Sequence, residues 1–395
     1  MTPSLRPDLT FHEIYGPDHV FCPRSSDRLG RWLPRSPTAI DHATGAMLPV
    51  AGELPVVCAQ GTITPSGEAL LREAGVPRPS RCVPYRDAEE YLEVVLREGR
   101  AGRRLVVQYL HAPDEIPSEA YWVPPDLLSH LNNKATLAEL VPPEAVASRR
   151  ILSTERLETL RDEEPPFVLK AVTDESHGGG LDVIICRRPA DLERAPGLFE
   201  GVDRIIVEEF LPMVANLCLG FVVFPDGDVR YIGTAEQVIR EDGLFQGNWL
   251  RGDLRVPDRA VAMAMAATEA AADRGYRGCA GIDVGVLESG RVVVFDLNFR
   301  VNSSTAVVLL HSSVAEQHPF GEARLAGWKC ERGFETMIRE ASRAMEAGHL
   351  LPLGTHDSTL HGHDAPALLR GLLLAESREE LPGKDALLAE RGLVR

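Results

Sequence analysis

No run of apolar residues in the chain reaches the length of a membrane-spanning helix, and Met1 to Leu9 carries two prolines and no apolar core of signal-peptide length. The expectation is a cytoplasmic protein with no membrane partner. Positive charge is short: 42 Lys and Arg against 58 Asp and Glu leave a formal net charge of −16. That balance argues against wrapping nucleic acid, which needs a clustered cationic surplus, while a local basic pocket survives it. Cysteine is sparse and scattered, with Cys22, Cys58, Cys82, Cys186, Cys218, Cys279 and Cys330 forming no C-x-x-C pair, so neither a disulfide framework nor a zinc ribbon is expected. Most of them sit among apolar neighbours, as in Ile184-Ile185-Cys186, where a thiol acts as a small buried hydrophobe. Internal repeats and low-complexity stretches are missing. So are the P-loop pattern and a Rossmann glycine fingerprint opening a helix, which means that any nucleotide is held another way.

What is present is an ordinary globular composition, 44% hydrophobic and 25% charged over 395 residues, enough for two or three lobes. The first forty-odd residues lack clear periodicity and are expected to be irregular or to form short elements. Leu54 to Cys58 and Leu105 to Leu110 read as buried strands, and Asp87 to Arg97 as a helix with Tyr91, Val94 and Val95 on one face. Strands alternating with helices imply an α/β lobe. Asn132 to Leu140 reads as a helix capped by Asn132 or Asn133 and stopped by Pro142-Pro143. Strands Phe167 to Lys170 and Leu181 to Cys186 flank the polar, glycine-rich connection 174–180. Further strands follow at Arg204 to Glu209, Leu217 to Phe224 and Val229 to Ile232, the last pair joined by an Asp-Gly turn. A helix from Asp258, as cap, to Arg274 ends at Gly275. Gly281 to Leu287 and Arg291 to Leu297 form a hairpin, and Phe334 to Ala347 is a last helix before an irregular tail.

The chemistry concentrates in two places. Asp283, Asp296 and Asn298 fall on neighbouring strands, and residues two apart point to one face, so three hard oxygen donors converge. That set suits Mg²⁺, which takes one or two carboxylates and completes its shell with phosphates and water. Arg300 continues the same alternation, where a guanidinium clamps phosphate or carboxylate bidentately. Turn chemistry at strand ends is the competing explanation. Three polar groups on a strand that otherwise reads Val-Val-Val-Phe need partners, however. The second place is Lys170 with His177, Gly178, Gly179 and Gly180, a flexible loop whose N–H groups suit phosphate oxygens; a plain surface hairpin fits the same residues. Glu236, Gln237, Asn302, Ser303 and Ser304 fit either a substrate pocket or turn and cap chemistry. The tail pairs His356-Asp357 and His361-Gly-His363-Asp364 lack metal-ligand spacing and read as a solvent-exposed turn. Trp249, Trp328, Met263 and Met265 read as packing residues.

The order of these pieces resembles the ATP-grasp superfamily from about Asn132 to about Thr305: a lysine strand, a glycine-rich hairpin, a strand ending Glu-Glu-Phe-Leu, an antiparallel sheet, Gly-Ile-Asp-Val-Gly and Asp-Leu-Asn-Phe-Arg. The resemblance implies an α/β fold of α+β lobes: an N-terminal pre-ATP-grasp domain at 1–128, an ATP-grasp domain at 129–310, and a helical or irregular extension at 311–395. Within the ATP-grasp domain it implies a small lid lobe near 150–210 and a metal-binding lobe near 211–310. It implies that ATP is held by Lys134 and Lys170, by the loop His177 to Gly180, and by a hinge containing Glu208, Glu209 and Leu211. Asn216 stands where many members have a ribose-binding acid. The same resemblance makes Asp283, Asp296 and Asn298 the Mg²⁺ ligands, with Asp in place of the more usual Glu at 296, and Arg300 the catalytic anion clamp. The N-terminal lobe and Ile232-Gly-Thr-Ala-Glu-Gln-Val are similar to peptide ligases of natural-product biosynthesis. The implied reaction is ATP-dependent ligation of a carboxylate to an amine through an acylphosphate, with amino acids or peptides as partners. A small-molecule kinase or a non-catalytic nucleotide-binding protein are the alternatives. The sequence is silent on oligomeric state and leaves a homodimer open.

Overall fold

The computed structural model describes residues 4–318 and 320–395, so residues 1–3 of the expected first domain lie outside it. The N-terminal part is a parallel sheet with helices, as the alternating pattern requires. Helix α1 (Phe11–Tyr15) precedes strand β1 (His19–Cys22), helix α2 (Pro37–Ala43) and strand β2 (Val56–Ala59). Helix α3 (Pro65–Glu73), strand β3 (Cys82–Tyr85), helix α4 (Ala88–Arg100) and strand β4 (Arg104–Val107) complete the lobe, in the sheet order β3-β2-β1-β4. The first forty-odd residues form short elements, one of the two outcomes expected; β1 is four residues long and buried throughout, too short to show a period. The expected helix Asp87 to Arg97 is α4, with Asp87 as its cap and Tyr91, Val94 and Val95 buried.

The expected single helix from Asn132 to Leu140 is instead two. Helix α5 (Pro125–Asn132) ends where Asn133 turns extended, and α6 (Leu137–Leu140) begins after a short 3₁₀ turn at Lys134–Thr136. The Asn133 side chain accepts from Ala135 N and so caps that turn. A four-stranded antiparallel sheet follows, formed by β5 (Arg149–Ser153), β6 (Phe167–Val172), β7 (Val183–Cys186) and β8 (Arg204–Glu209) in the order β5-β8-β6-β7, with the short helix α7 (Ala195–Leu198) at its side. It has its own core around Leu169, Ile184, Phe199 and Ile205.

The rest of the chain builds one antiparallel sheet of eight strands. These are β9 (Met213–Val223), β10 (Val229–Ile239), β11 (Phe245–Arg251), β12 (Gly278–Leu287), β13 (Val292–Asn298), β14 (Glu322–Cys330), β15 (Leu350–His356) and β16 (Ala367–Ala375), ordered β13-β12-β9-β10-β11-β14-β16-β15. Helices α8 (Asp258–Asp273), α9 (Thr305–Gln317), α10 (Phe334–Glu346) and α11 (Leu381–Glu390) cover it. The cap of α8 is Pro257, and Asp258 is its first residue, where a carboxylate favours the positive helix end.

The region expected as a helical or irregular extension does hold helices, but it also contributes three strands to the large sheet, joined to it through the β11–β14 pair. The tail histidines also differ from the expected exposed turn. His356 is fully buried and stacks on His361 with ring centroids 5.1 Å apart. Trp328 and Met263 are core residues, whereas Trp249 is partly buried under Arg324 and Arg378. All the cysteines are free, and all but Cys82 are buried. Among the described residues no helix is long and apolar enough to cross a membrane.

Candidate active site

The N-terminal lobe, the four-stranded sheet and the eight-stranded sheet enclose a cleft of about 510 Å³, and every residue that the sequence singled out for ATP, metal or anion binding lines it. Its floor is the β12–β13 pair. Asp283 is paired in register with Asp296, so the two carboxylates face each other, and Asn298 lies two residues on. Asn298 donates from Nδ2 to Asp283 Oδ2 at 3.3 Å and accepts on Oδ1 from Arg300 Nη2 at 2.6 Å. Gln237 Nε2 donates to Asp283 Oδ1 at 2.6 Å.

Two glycines of Gly-Ile-Asp-Val-Gly have a steric reason. A Cβ on Gly281 would overlap the Asn302 amide, and one on Gly285 would overlap Met213. Asn302 lines the cleft and also accepts from Ser304 N and Thr305 Oγ1, which ties it into the turn that opens α9.

Lys134 is buried; it donates to Asp296 Oδ1 at 2.9 Å and to His177 Nδ1 at 3.1 Å, and Asp182 Oδ2 lies within ion-pair distance at 3.3 Å. Expected as a nucleotide-binding lysine, it lines the cleft and pairs there with Asp182 and with Asp296, one of the candidate metal ligands. Burial pulls its ammonium down, but Asp182 and Asp296 outweigh this and hold it charged. Burial and the neighbouring Lys134 hold His177 neutral; its Nδ1 accepts from the lysine and its Nε2 donates to Asn132 O at 2.8 Å.

Burial also raises both aspartates, and they diverge from there. For Asp296 the Lys134 ammonium, and Lys170 beyond it, outweigh burial and keep it ionised, whereas Asp283, facing Asp296, is pushed well up. A buried carboxylate and a partly buried one that repel each other, with an amide oxygen beside them, are the donor chemistry that fits Mg²⁺.

Lys170 on β6 lies 2.5 Å from Glu208 Oε1 and 2.9 Å from Phe295 O. At the hinge, Glu209 accepts from Ser148 N at 2.8 Å and Arg291 Nη2 at 2.9 Å, and the Leu211 carbonyl accepts from Met213 N. Asn216 Oδ1 is buried without a partner, an acceptor suited to a ligand hydroxyl. Over the cleft, Gly178 N donates to Trp32 O at 3.1 Å and Phe245 N donates to Gly179 O at 3.1 Å, so the glycine loop joins the N-terminal segment to the large sheet. Gly179 and Gly180 have φ of +66° and +77°, which favours glycine.

Sequence reasoning missed Asp182, whose only local sign is an acid opening the apolar run of β7. It also missed the N-terminal wall of the cleft, where Ile40, Ala43, Ala46, Met47 and Tyr109 come from segments without a motif. Of Glu236 and Gln237, only Gln237 enters the cleft; Glu236 pairs with Arg378 at 3.1 Å.

Residues 147–298 match the family model described as L-aspartate--L-methionine ligase, ATP grasp, and residues 10–129 match the L-aspartate--L-methionine ligase N-terminal domain. Similar solved structures include the ADP complex of an N5-carboxyaminoimidazole ribonucleotide synthetase, 15% identical, with a TM-score of 0.58 and 97% of this chain and 98% of that chain covered. The Staphylococcus aureus N5-carboxyaminoimidazole synthetase with ADP is 11% identical, with a TM-score of 0.56 and coverage of 94% and 96%. An L-amino acid ligase from Bacillus licheniformis is 12% identical, with a TM-score of 0.53 and coverage of 95% and 98%. At these identities the structural likeness speaks for the fold alone.

Proposed function

The chain is an ATP-grasp ligase that joins a carboxylate to an amine in an ATP-dependent reaction, and from that premise we propose that it condenses L-aspartate, as the activated acid, with L-methionine, as the amine. Support comes from two family models that carry the same substrate pair and fall on separate lobes of the chain. The cleft supports it physically, because one cavity joins the acidic, cationic floor to the apolar wall of Ile40, Ala43, Ala46 and Met47.

In this reading Lys170, the hinge at Glu208 to Leu211 and the Asn216 acceptor hold the nucleotide, and the glycine loop keeps water from the reacting groups. Mg²⁺ held by Asp283, Asp296 and Asn298 supplies charge neutralisation at the phosphates. Arg300 binds the substrate carboxylate, one oxygen of which attacks the γ-phosphorus as the bond to ADP breaks. The methionine amine then attacks the acyl carbon of the acylphosphate, phosphate leaves, and the nitrogen gives up a proton. Positioning and charge carry both steps, and no protein nucleophile is required. Free ATP and amino acids in the cytoplasm are the setting that this activity requires.

The test is ADP and phosphate release from Mg-ATP over amino acids singly and in pairs, with mass detection. Release that needs aspartate and methionine together and yields their dehydrated adduct is the expected result. Another obligatory pair would displace the substrate assignment, and a phosphorylated product without condensation would make the protein a kinase.

A further inference from the structure

Four side-chain cations line the cleft, and they divide into two kinds. Lys134 and Lys170 each lie within ion-pair distance of a carboxylate, Asp296 and Glu208 respectively. Arg300 and Arg370 have no such partner among the described residues. Arg300 stands beside the metal-ligand set, bonded to Asn298, and is accounted for by the reacting carboxylate.

Arg370 is not accounted for. It lies on β16, outside both segments matched by the family models. It is partly buried, and the one acceptor it meets is Ser303 O, at 2.8 Å. A guanidinium carries five donors in a planar fork, and a cation drawn out of water without an anion is costly. Burial pulls Arg370 down to about 10, opposed only by Tyr109. Burial and then Arg370 itself hold His42 neutral, so that ring supplies no compensating charge.

The surroundings indicate which anion fits. The apolar wall of Ile40, Ala43, Ala46 and Met47, on and just after α2, opens into the same cleft. A cationic fork and an apolar wall in one cavity match an amino acid with a free α-carboxylate and an unbranched apolar side chain. The carboxylate to be phosphorylated belongs at Arg300 and the metal ligands. The second amino acid keeps its carboxylate and needs a separate anchor.

Resting on the ligase reading above, we infer that Arg370 anchors the α-carboxylate of the amine substrate, whose side chain lies along Ile40, Ala43, Ala46 and Met47. A bidentate Arg–carboxylate pair fixes both position and orientation, and so presents the amine to the acyl carbon. Selection for an acceptor with a free carboxylate follows, because an acceptor amide would leave the guanidinium unpaired.

The experiment compares L-methionine with L-methioninamide as acceptor, with ATP and L-aspartate saturating, in the wild type, Arg370→Lys and Arg370→Gln. The wild type should favour methionine over the amide by about thirtyfold or more in kcat/KM. Arg370→Gln should raise KM for methionine by about the same factor, abolish the preference, and leave KM for ATP and aspartate within about twofold. Arg370→Lys should fall between them, since it keeps the charge and loses the fork. Ala43→Leu, which fills the wall, should shift preference from methionine to alanine. If the wild type does not discriminate acid from amide, or if Arg370→Gln weakens both acceptors or aspartate equally, the anchor is wrong whatever the folding of the variants. If aspartate and methionine give no adduct, the substrate assignment fails separately. The acid–amide comparison is then run on the acceptor that the panel identifies, and an acceptor without a carboxylate overturns the inference.

Discussion

Asp283 and Asp296 face each other across a strand pair, and Lys134 reaches only the second of them. The asymmetry leaves Asp283 the weaker acid and Asp296 the fixed charge, an arrangement that a divalent cation would level. Asp296→Asn or Asn298→Ala should lower phosphate release by roughly a thousandfold, several kcal/mol of transition-state stabilisation, and Asn298→Ala, which removes no ion-pair partner, should do so with little change in thermal melting. Ordinary turnover in either variant would remove the metal assignment.

Lys170 allows a sharper separation of roles. Lys170→Met leaves Glu208 buried, with Arg149 at 3.9 Å as its nearest remaining cation, and should cost about 3–5 kcal/mol of stability while weakening ATP binding about tenfold or more. Adding Glu208→Gln should recover much of the stability and none of the affinity, read by melting and by calorimetric titration. Recovery of both would make Lys170 a structural residue only. Asp283 and Asp296 could be brought together in the sequence because strand pairing and alternation place them, and Lys170 because it ends a strand beside the glycine loop; Lys134 entered only through the resemblance, and Asp182 acquires its meaning from Lys134, which lies in another element.

At the scale of elements, the pair β11–β14 fastens the C-terminal strands to the rest, and Gly247 lies within it. Its φ is +129°, and an added Cβ would overlap the Leu325 carbonyl oxygen. Gly247→Ala should cost about 1–3 kcal/mol, seen as a lower melting temperature. Gly197→Ala, at an unstrained helical site with nothing within 4 Å, should be neutral or slightly stabilising. Equal effects would remove Gly247 from any special position.

The strands expected at Val229 to Ile232 and Arg291 to Leu297 were announced by Gly-containing turns, and the first runs on to Ile239 in the structure. The C-terminal strands were concealed for identifiable reasons. Strand β15 contains Pro352 and Gly354, which read as breakers; the register shift lies between them, on the edge of the sheet where a proline is tolerated. Strand β16, Ala-Leu-Leu-Arg-Gly-Leu-Leu-Leu-Ala, is so evenly apolar that its period does not separate a buried strand from a helix. Arg370 was hidden for the same reason, because its role depends on the strand that carries it.

At the scale of the molecule, the expected extension at 311–395 is not separable from the catalytic lobes. One core cluster combines Leu5, Phe11 and Leu54 of the N-terminal part with Val307 and Leu310 of α9 and with Leu351 and Leu372 of the C-terminal strands. A second joins Leu70 of α3 to Trp328, Met337 and Leu369. The cleft itself takes residues from Pro23 at one end of the chain to Arg370 near the other. A chain stopped after His318 would expose the β11 edge and the apolar faces that β14, β15 and β16 cover, an invitation to edge-to-edge aggregation. It should therefore give no monodisperse, ATP-binding protein by size exclusion and calorimetric titration. Recovery of a soluble truncated protein with unchanged ATP affinity would mean that the shared core is dispensable, and that the C-terminal strands serve the acceptor side of the cleft alone.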